Sequence, residues 1–131
     1  MACEDCHAFR EDGSYAGIPN LENCAECHES PMTESETEAR LVTDYVEPGK
    51  EIPWISYSRQ PDNVFFSHAA HVLKAEMACT ECHRDATLET MTPPVRVNRL
   101  TGYSNEVMKM HVCEECHARE QVSNACDLCH K

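Results

Sequence analysis

The ten cysteines of this 131-residue chain all fall within five copies of one short pattern, Cys-x-x-Cys-His. In chain order the copies are Cys3-Cys6-His7, Cys24-Cys27-His28, Cys79-Cys82-His83, Cys113-Cys116-His117 and Cys126-Cys129-His130. Two thiols at this spacing can form thioethers with the vinyl groups of a porphyrin, and the histidine that follows is carried under the ring as the proximal iron ligand. The pattern therefore predicts five covalently attached c-type haems, with electron transfer as their chemistry.

Zinc ribbons and disulfide scaffolds also use paired cysteines, and they are the alternatives to haem attachment. Neither explains why a histidine follows every pair. A zinc site would need only some of those histidines, and a disulfide scaffold would need none. The haem interpretation is favoured because it uses every cysteine and every adjacent histidine.

The composition leaves little material for an ordinary core. Hydrophobic residues make up 41% of the chain, and this figure includes the ten cysteines. About a third of the chain then remains to build a core, so haem must supply the missing apolar surface. We expect a multihaem cytochrome c fold with little regular secondary structure, in which short α-helices and long loops wrap around five haems. Without haem we expect no stable fold.

The chain is strongly acidic, with 23 acidic and 11 basic residues and a formal net charge of -12. This balance argues against nucleic acid and anionic membrane surfaces as partners. Residues 1–60 carry 13 acidic and 4 basic side chains, whereas residues 61–131 carry 10 and 7. The first half should therefore present the more acidic surface, which suits docking of a basic redox partner.

The location follows from the chemistry of haem attachment. No run approaches the roughly 18 apolar residues that a membrane span needs. The first motif begins at Cys3, which leaves no room for a signal peptide, so we expect a processed or incomplete form of a longer precursor. Since haem is normally attached outside the cytoplasmic membrane, a periplasmic location is predicted.

The spacing of the motifs suggests how the chain is organised. Successive motifs are separated by 16, 50, 29 and 8 residues, counted from each histidine to the next cysteine. We expect a single multihaem domain over residues 1–131. Within it, residues 1–30 would form an amino-terminal haem pair, residues 31–60 a helix and extended linker, and residues 61–131 a three-haem half.

The longest gap contains a helix signal. It opens with Thr33-Glu34-Ser35-Glu36, which matches a capping box. Apolar residues then recur at helical spacing until Pro48-Gly49, and they are Leu41, Val42, Tyr45 and Val46. We predict one amphipathic helix over residues 34–46, packed on the haem-bearing body. The segment Glu51 to Pro61, which holds Trp54, is predicted to be an extended strand.

Three histidines lie outside the motifs, and each is a candidate sixth ligand to an iron: His68, His71 and His111. His68 and His71 are three residues apart in an apolar and aromatic setting, so on a helix they would share a face and reach two neighbouring irons. His111 stands just before the fourth motif.

Two irons would then lack a histidine, and methionine thioethers are the remaining soft donors. Met91 and Met110 lie nearest the later motifs and are the candidates. Packing is the equally weighted alternative for each methionine. A His/Met pair would raise the potential of its haem above that of the bis-histidine haems.

Several segments resemble the multihaem cytochrome subunit of alternative complex III and of the related quinone reductase complex. The resemblance lies in the first two motifs with Ala16-Gly-Ile-Pro19 between them, in Glu51-Ile-Pro-Trp54, and in Phe66-Ser-His-Ala-Ala-His71 followed by the third motif. A methionine three residues before the fourth motif, Met110, is also similar to the family pattern.

The resemblance implies a periplasm-facing electron-transfer subunit that is not itself catalytic. Its partners would be an integral-membrane quinone-binding subunit of the polysulfide-reductase type, with iron-sulfur and molybdopterin-like subunits. By position, His68 and His71 would be distal ligands and Met110 the methionine ligand. The family has a histidine where this chain has Tyr15, and a His-x-x-His pair upstream of the first motif. An upstream segment, a partner subunit or a methionine would then ligate the first two irons.

Within this family the acidic surface favours the quinone reductase complex, with a basic cytochrome c3 as the electron donor and menaquinone as the acceptor. One alternative is the same subunit in a quinol-oxidising alternative complex III. Another is a freely diffusing periplasmic carrier of the cytochrome c7 or c3 type. A multihaem reductase would need an iron with an open coordination position, and no lysine-variant motif points to one.

Overall fold

The computed structural model describes residues 2–130, and these residues form short helices joined by long irregular segments. The α-helices are α1 (Leu21–Ala25), α2 (Glu36–Leu41), α3 (Met110–Arg119) and α4 (Cys126–Cys129). Two π-helical segments, Val42–Val46 and Ala69–Lys74, and three 3₁₀ turns, Cys3–Asp5, Cys79–Glu81 and Ala86–Leu88, complete the helical elements. The expectation of short helices and long loops is confirmed.

No β-strand occurs among residues 2–130, where pairing is confined to isolated bridges such as Phe9 with Tyr15 and Val64 with His130. The predicted strand from Glu51 to Pro61 is therefore wrong. The segment is extended but irregular, and it is fixed by side chains instead of a ladder. Trp54 donates its indole N–H to the Pro19 carbonyl at 3.2 Å, for example.

The helix predicted over residues 34–46 begins two residues later, at Glu36. Its N-cap is Ser35, whose hydroxyl accepts the Glu38 backbone N–H at 3.5 Å, so the capping box read at Thr33 is wrong. Thr33 instead donates to the Glu38 carboxylate. After Leu41 the chain continues without a break as a π-helical turn, with a hydrogen bond from the Glu47 N–H to the Val42 carbonyl at 2.9 Å.

The predicted apolar stripe of this helix is buried only at Val42, whereas Leu41, Tyr45 and Val46 are half-buried. Val42 is fully buried, and α1 packs against the π-helical segment that contains it. Val42 and Leu21 of α1 are the buried apolar side chains among the described residues. Large side chains such as Phe65, Phe66 and Leu128 are exposed instead. The polypeptide by itself therefore lacks the apolar core that normally stabilises a domain of this length.

The chain divides into two compact units. Unit 1 comprises residues 1–54 and 68–83, and unit 2 comprises residues 55–67 and 84–131. Unit 1 carries the first three motifs and unit 2 the last two. The contacts therefore group the first three motifs together and the last two together. The gap lengths instead group the first two motifs and the last three.

Unit 2 is held together by hydrogen bonds between residues distant in sequence. Ser104 is buried, and its hydroxyl donates to the Tyr57 carbonyl at 2.6 Å. The Ser58 hydroxyl donates to the Glu106 carbonyl at 3.2 Å. At the other end of this segment the Phe65 N–H donates to the Cys129 carbonyl at 2.8 Å, which fixes the fifth motif.

A search of residues 2–130 for membrane spans finds no helix that has both the length and the apolar character required.

Candidate functional site

Each motif is built on a single helical turn. In four motifs the histidine backbone N–H donates to the carbonyl of the first cysteine, and these bonds are His7 to Cys3 (2.8 Å), His28 to Cys24, His83 to Cys79 and His130 to Cys126 (each 2.9 Å). The fourth motif lies inside α3. Residues three and four apart share one side of a helical turn, so both thiols and the imidazole of a motif can face one ring. No cysteine among residues 2–130 forms a disulfide, so every motif keeps both thiols for attachment.

Three motif histidines have their Nδ1 atom at a hydrogen-bond acceptor. His7 Nδ1 lies 3.0 Å from the Gly17 carbonyl, and His117 Nδ1 lies 3.2 Å from the Ser123 carbonyl. His28 Nδ1 lies 3.0 Å from the Glu38 carboxylate. A carbonyl oxygen only accepts, so Nδ1 carries the proton in His7 and His117 and leaves the Nε2 lone pair available for a metal.

The acceptor for His7 depends on the local backbone. Gly13 (φ +79°) closes a turn in which its N–H donates to the Arg10 carbonyl at 2.8 Å. This turn sends the chain back past the first motif, and Gly17, also left-handed at φ +82°, presents its carbonyl to His7. A side chain at either position would be strained, because positive φ is favourable only for glycine.

The Glu38 carboxylate is the most heavily hydrogen-bonded acidic group of the site. It accepts the backbone N–H groups of Met32 and Thr33, each at 2.9 Å, together with the Thr33 hydroxyl and His28. The Thr33 hydroxyl, the Met32 N–H and His28 lower the pKa of Glu38 to about 2, although partial burial opposes the shift. Glu38 is therefore ionised at neutral pH.

His68 and the third-motif histidine, His83, lie together within unit 1. Their ring centroids are 6.2 Å apart, and the ring planes differ by 9°. Two imidazoles that bind one metal ion from opposite sides, each through a bond of about 2 Å, have centroids roughly 6 Å apart. Burial, followed by the charges of His83 and His71, lowers the pKa of His68, which favours the neutral, ligating form.

Tyr15 lies between the first and third motifs. Its ring is 4.2 Å from His68 and 6.4 Å from His7, measured between centroids. Burial raises the pKa of Tyr15, and the neighbouring thiols of Cys79 and Cys3 raise it further. The position where the resembling family has a histidine is thus occupied by an aromatic side chain that contacts a candidate iron ligand.

The other candidate ligands are described by their place in the fold, and no ring contact like that of His68 with His83 is assigned to them. His71 lies in the π-helical segment Ala69–Lys74, whose wide turn moves it further round the axis from His68 than an α-helix would. Met110 and His111 lie exposed in the first turn of α3. Met91 is 81% exposed beside a shallow pocket lined by Arg84, Glu89 and neighbouring residues.

Cysteines of different motifs approach one another within each unit. Burial raises the pKa of Cys79, and Cys3 and Glu4 raise it further; Cys79 Sγ lies 4.0 Å from a Glu4 carboxylate oxygen. Burial and then Cys6 raise the pKa of Cys24. In unit 2, burial and then Cys129 raise the pKa of Cys113. The first motif therefore adjoins the second and third, and the fourth adjoins the fifth.

These features fit haem. The motifs offer thiol pairs that form no disulfide, the imidazoles of His7, His28 and His117 are oriented by Nδ1 hydrogen bonds, and large apolar side chains remain exposed for a porphyrin to cover. The class of protein that fold and site define is a multihaem c-type cytochrome.

Comparison with known proteins agrees with this class. The family model for cytochrome c7 and related cytochromes c matches residues 64–131. The menaquinone reductase multihaem cytochrome c subunit of Nitratidesulfovibrio vulgaris (strain Hildenborough) is 47% identical over 146 aligned positions, which cover 100% of this chain and 70% of the relative. The chain belongs to the family of cytochrome c7 and related cytochromes c, and its predicted resemblance to the multihaem subunit of the quinone reductase complex is confirmed. No solved structure shows a significant match.

Sequence reasoning missed the groups that orient the motif histidines. The acceptors at Gly17 and Glu38 lie ten residues from their histidines, and the Ser123 carbonyl lies six residues from His117. Two of the three are backbone carbonyls, which no residue type marks. Only Glu38 could have been noticed in the sequence, because an acidic residue three positions after a serine cap is a recognised pattern at the start of a helix.

Proposed function

We propose that this chain is the electron-transfer subunit of a membrane-bound, menaquinone-linked oxidoreductase complex at the periplasmic face of the cytoplasmic membrane. In this role it passes electrons from a periplasmic cytochrome to quinone-handling membrane subunits, toward menaquinone reduction. The observation that carries the proposal is the 47% identity, over the whole chain, to a protein named as the multihaem cytochrome subunit of menaquinone reductase. The partners proposed are an integral-membrane subunit of the polysulfide-reductase type, with iron-sulfur and molybdopterin-like subunits.

We assign one covalently bound haem to each of the five motifs. When bound, each haem supplies an iron that takes up and releases a single electron. The cysteine pairs would hold the rings, and the motif histidines would each ligate an iron. His68 would ligate the same iron as His83, an assignment supported by their centroid distance of 6.2 Å and nearly parallel rings. His71 is assigned to a different iron, and His111, Met110 and Met91 remain candidates for the others.

The thiol contacts suggest an order for the motifs within each unit. Cys6 raises the pKa of Cys24, and Cys3 raises the pKa of Cys79, which supports a series in unit 1 with the first motif in the middle. Tyr15, which contacts His68 and faces His7, lies on the step between the first and third motifs. We propose that electrons in unit 1 move along the series second, first, third, or the reverse.

The surface charge supports a basic electron donor. Thirteen acidic side chains lie within residues 1–60, and all except Glu38 are exposed. Exposed like charges sum to a field that steers an oppositely charged partner and weakens with salt. A lysine-rich soluble cytochrome, such as cytochrome c3, would complement this surface.

Gentle detergent extraction of source membranes, followed by a haem-stained native gel and mass spectrometry of the band, tests the complex. We expect this chain to migrate with a quinone-binding membrane subunit and a large molybdopterin-like subunit. Recovery of the chain alone in the soluble fraction would instead support a diffusing carrier of the cytochrome c7 type.

The donor is tested by stopped-flow reduction of the purified subunit with reduced cytochrome c3. Changing Glu22, Glu26 and Glu29 together to Gln should lower the second-order rate constant up to about tenfold at low salt and flatten its salt dependence. The matched control changes Glu114, Glu115 and Glu120, which are exposed in unit 2, to Gln. Equal effects of both triple variants, or a rate insensitive to salt in the unaltered protein, would argue against docking on the acidic first half.

A further inference from the structure

We propose that Glu38 is a positioning residue that lowers the reduction potential of the haem held by the second motif, acting through His28. The inference rests on the proposed function in one respect, which is that the second motif carries a haem. Glu38 lies outside every Cys-x-x-Cys-His motif. Its carboxylate is an anionic acceptor, whereas the acceptors at His7 and His117 are backbone carbonyls.

The geometry fixes the carboxylate in front of His28. Glu38 is 9% exposed and lies in the first turn of α2, where the Ser35 cap holds the start of the helix. The Met32 and Thr33 N–H groups and the Thr33 hydroxyl anchor the carboxylate, and Oε1, which accepts the Met32 N–H, also faces His28 Nδ1 at 3.0 Å. The carboxylate therefore cannot rotate toward solvent without losing three hydrogen bonds.

An anionic acceptor changes the ligand more than a neutral acceptor does. A carboxylate draws the Nδ1 proton toward itself, which raises the basicity of Nε2 and strengthens its donation to a bound iron. Stronger donation and a nearby negative charge both favour ferric over ferrous iron, so the potential falls. With haem bound, reduction would add one electron to the iron, and His28 would keep its Nδ1 proton, directed at Glu38.

The acceptors at His7 and His117 are neutral. His7 donates to the Gly17 carbonyl, and His117 donates to the Ser123 carbonyl. Since the second motif adjoins the first through Cys24 and Cys6, Glu38 would set a step in potential between two neighbouring haems of unit 1. Such a step biases the direction in which an electron moves between them.

The test is potentiometry of the holoprotein at one pH, with the visible spectrum resolved into its haem components. Mass spectrometry of the peptide containing Cys24 and Cys27 first establishes that haem is attached there. If it is not attached, the proposed function fails at this motif, independently of any effect of Glu38. With haem attached, Glu38→Gln should raise the potential of one component by about 59 mV, a tenfold change in its one-electron equilibrium, and leave the others in place.

Two further variants separate charge from structure. Glu36→Gln neutralises an exposed carboxylate in the same helical turn and should leave every potential unchanged. Thr33→Val removes a competing donor from the Glu38 carboxylate, which should then accept more strongly from His28. The reduction potential of the same haem component should therefore fall. An unshifted component in Glu38→Gln, or a rise in Thr33→Val, would overturn the proposal. If Glu38→Gln does not assemble, the Thr33→Val result alone decides, and no change there also counts against the proposal.

Discussion

At the scale of single residues, motifs with the same sequence pattern differ in the group that accepts the Nδ1 hydrogen bond of their histidine. His7, His28 and His117 share one sequence context, yet they donate to a glycine carbonyl, a carboxylate and a serine carbonyl. Hydrogen bonds of this kind fix the tautomer of a ligating histidine and tune the metal that it binds. Identical motifs can therefore give haems of different potential.

His68 carries the most specific prediction at this scale. We propose, from its spacing to His83, that His68 is the sixth ligand of the third haem, so His68→Ala should leave that iron five-coordinate. We expect one haem in five to become high-spin and to bind carbon monoxide when reduced, measured by absorbance and electron paramagnetic resonance.

His71→Ala should remove the sixth ligand from a different iron. The double variant His68→Ala, His71→Ala should therefore leave two irons five-coordinate. Lys74→Ala, an exposed change in the same π-helical segment, serves as the control and should open none. If His68→Ala bound no carbon monoxide, the assignment of His68 to the third haem would be wrong.

The proximal histidines remain a prediction from the sequence, which rests on the Cys-x-x-Cys-His pattern itself. The pairing of His68 with His83 could not be predicted, because residues 69–82 fold back through a π-helical segment and an irregular turn whose path no local pattern specifies. Tyr15 is a similar case. Its sequence position marked it as a departure from the family, and only the fold places its ring against His68.

At the scale of elements, polar side chains decide where helices begin and where extended segments lie. α2 begins after Ser35 because Thr33 is engaged by the Glu38 carboxylate and is no longer available as a cap. The segment from Glu51 to Pro61 forms no strand because its bonds run to scattered partners, such as Pro19 and Glu106, instead of one neighbouring strand. The spacing of apolar residues and the capping signal thus located the helix to within two residues. The sequence pattern of residues 51–61 did not predict the irregular path of that segment.

The Ser35 cap gives a prediction for this element. Ser35→Ala should lower the free energy of unfolding by about 1 kcal/mol, because the Glu38 N–H loses its acceptor at the helix start. Guanidinium denaturation of the holoprotein, followed by far-UV circular dichroism, measures the change. Thr37→Ala, an exposed change inside α2, should not destabilise the protein, since alanine has the higher helix propensity. Equal losses in the two variants would count against Ser35 as the cap.

At the scale of the whole molecule, the scarcity of buried apolar side chains is the main physical feature. Leu21 and Val42 are the buried apolar residues of the described chain, and aromatic and aliphatic side chains remain exposed in both units. Composition alone predicted this deficit, because a chain rich in cysteine and charge has little left for a core. The grouping of motifs into three and two could not be predicted from gap lengths, since it depends on residues 68–83 returning to unit 1.

The deficit predicts that folding and haem attachment are coupled. Polypeptide produced without haem attachment should give a far-UV circular dichroism spectrum of a mostly unfolded chain, with no cooperative thermal transition. The holoprotein, measured in parallel, should show helical signal and a cooperative transition. A cooperative transition in the haem-free chain would mean that the polypeptide builds a core without the cofactor.

We propose that all five motifs carry haem, and intact-mass spectrometry of the purified native protein counts the attached haems. We predict a mass that exceeds that of the polypeptide by five haems, with every Cys-x-x-Cys-His peptide modified after proteolysis. A mass increment of fewer than five haems, with an unmodified thiol pair at any motif, would show that the protein is not a five-haem cytochrome.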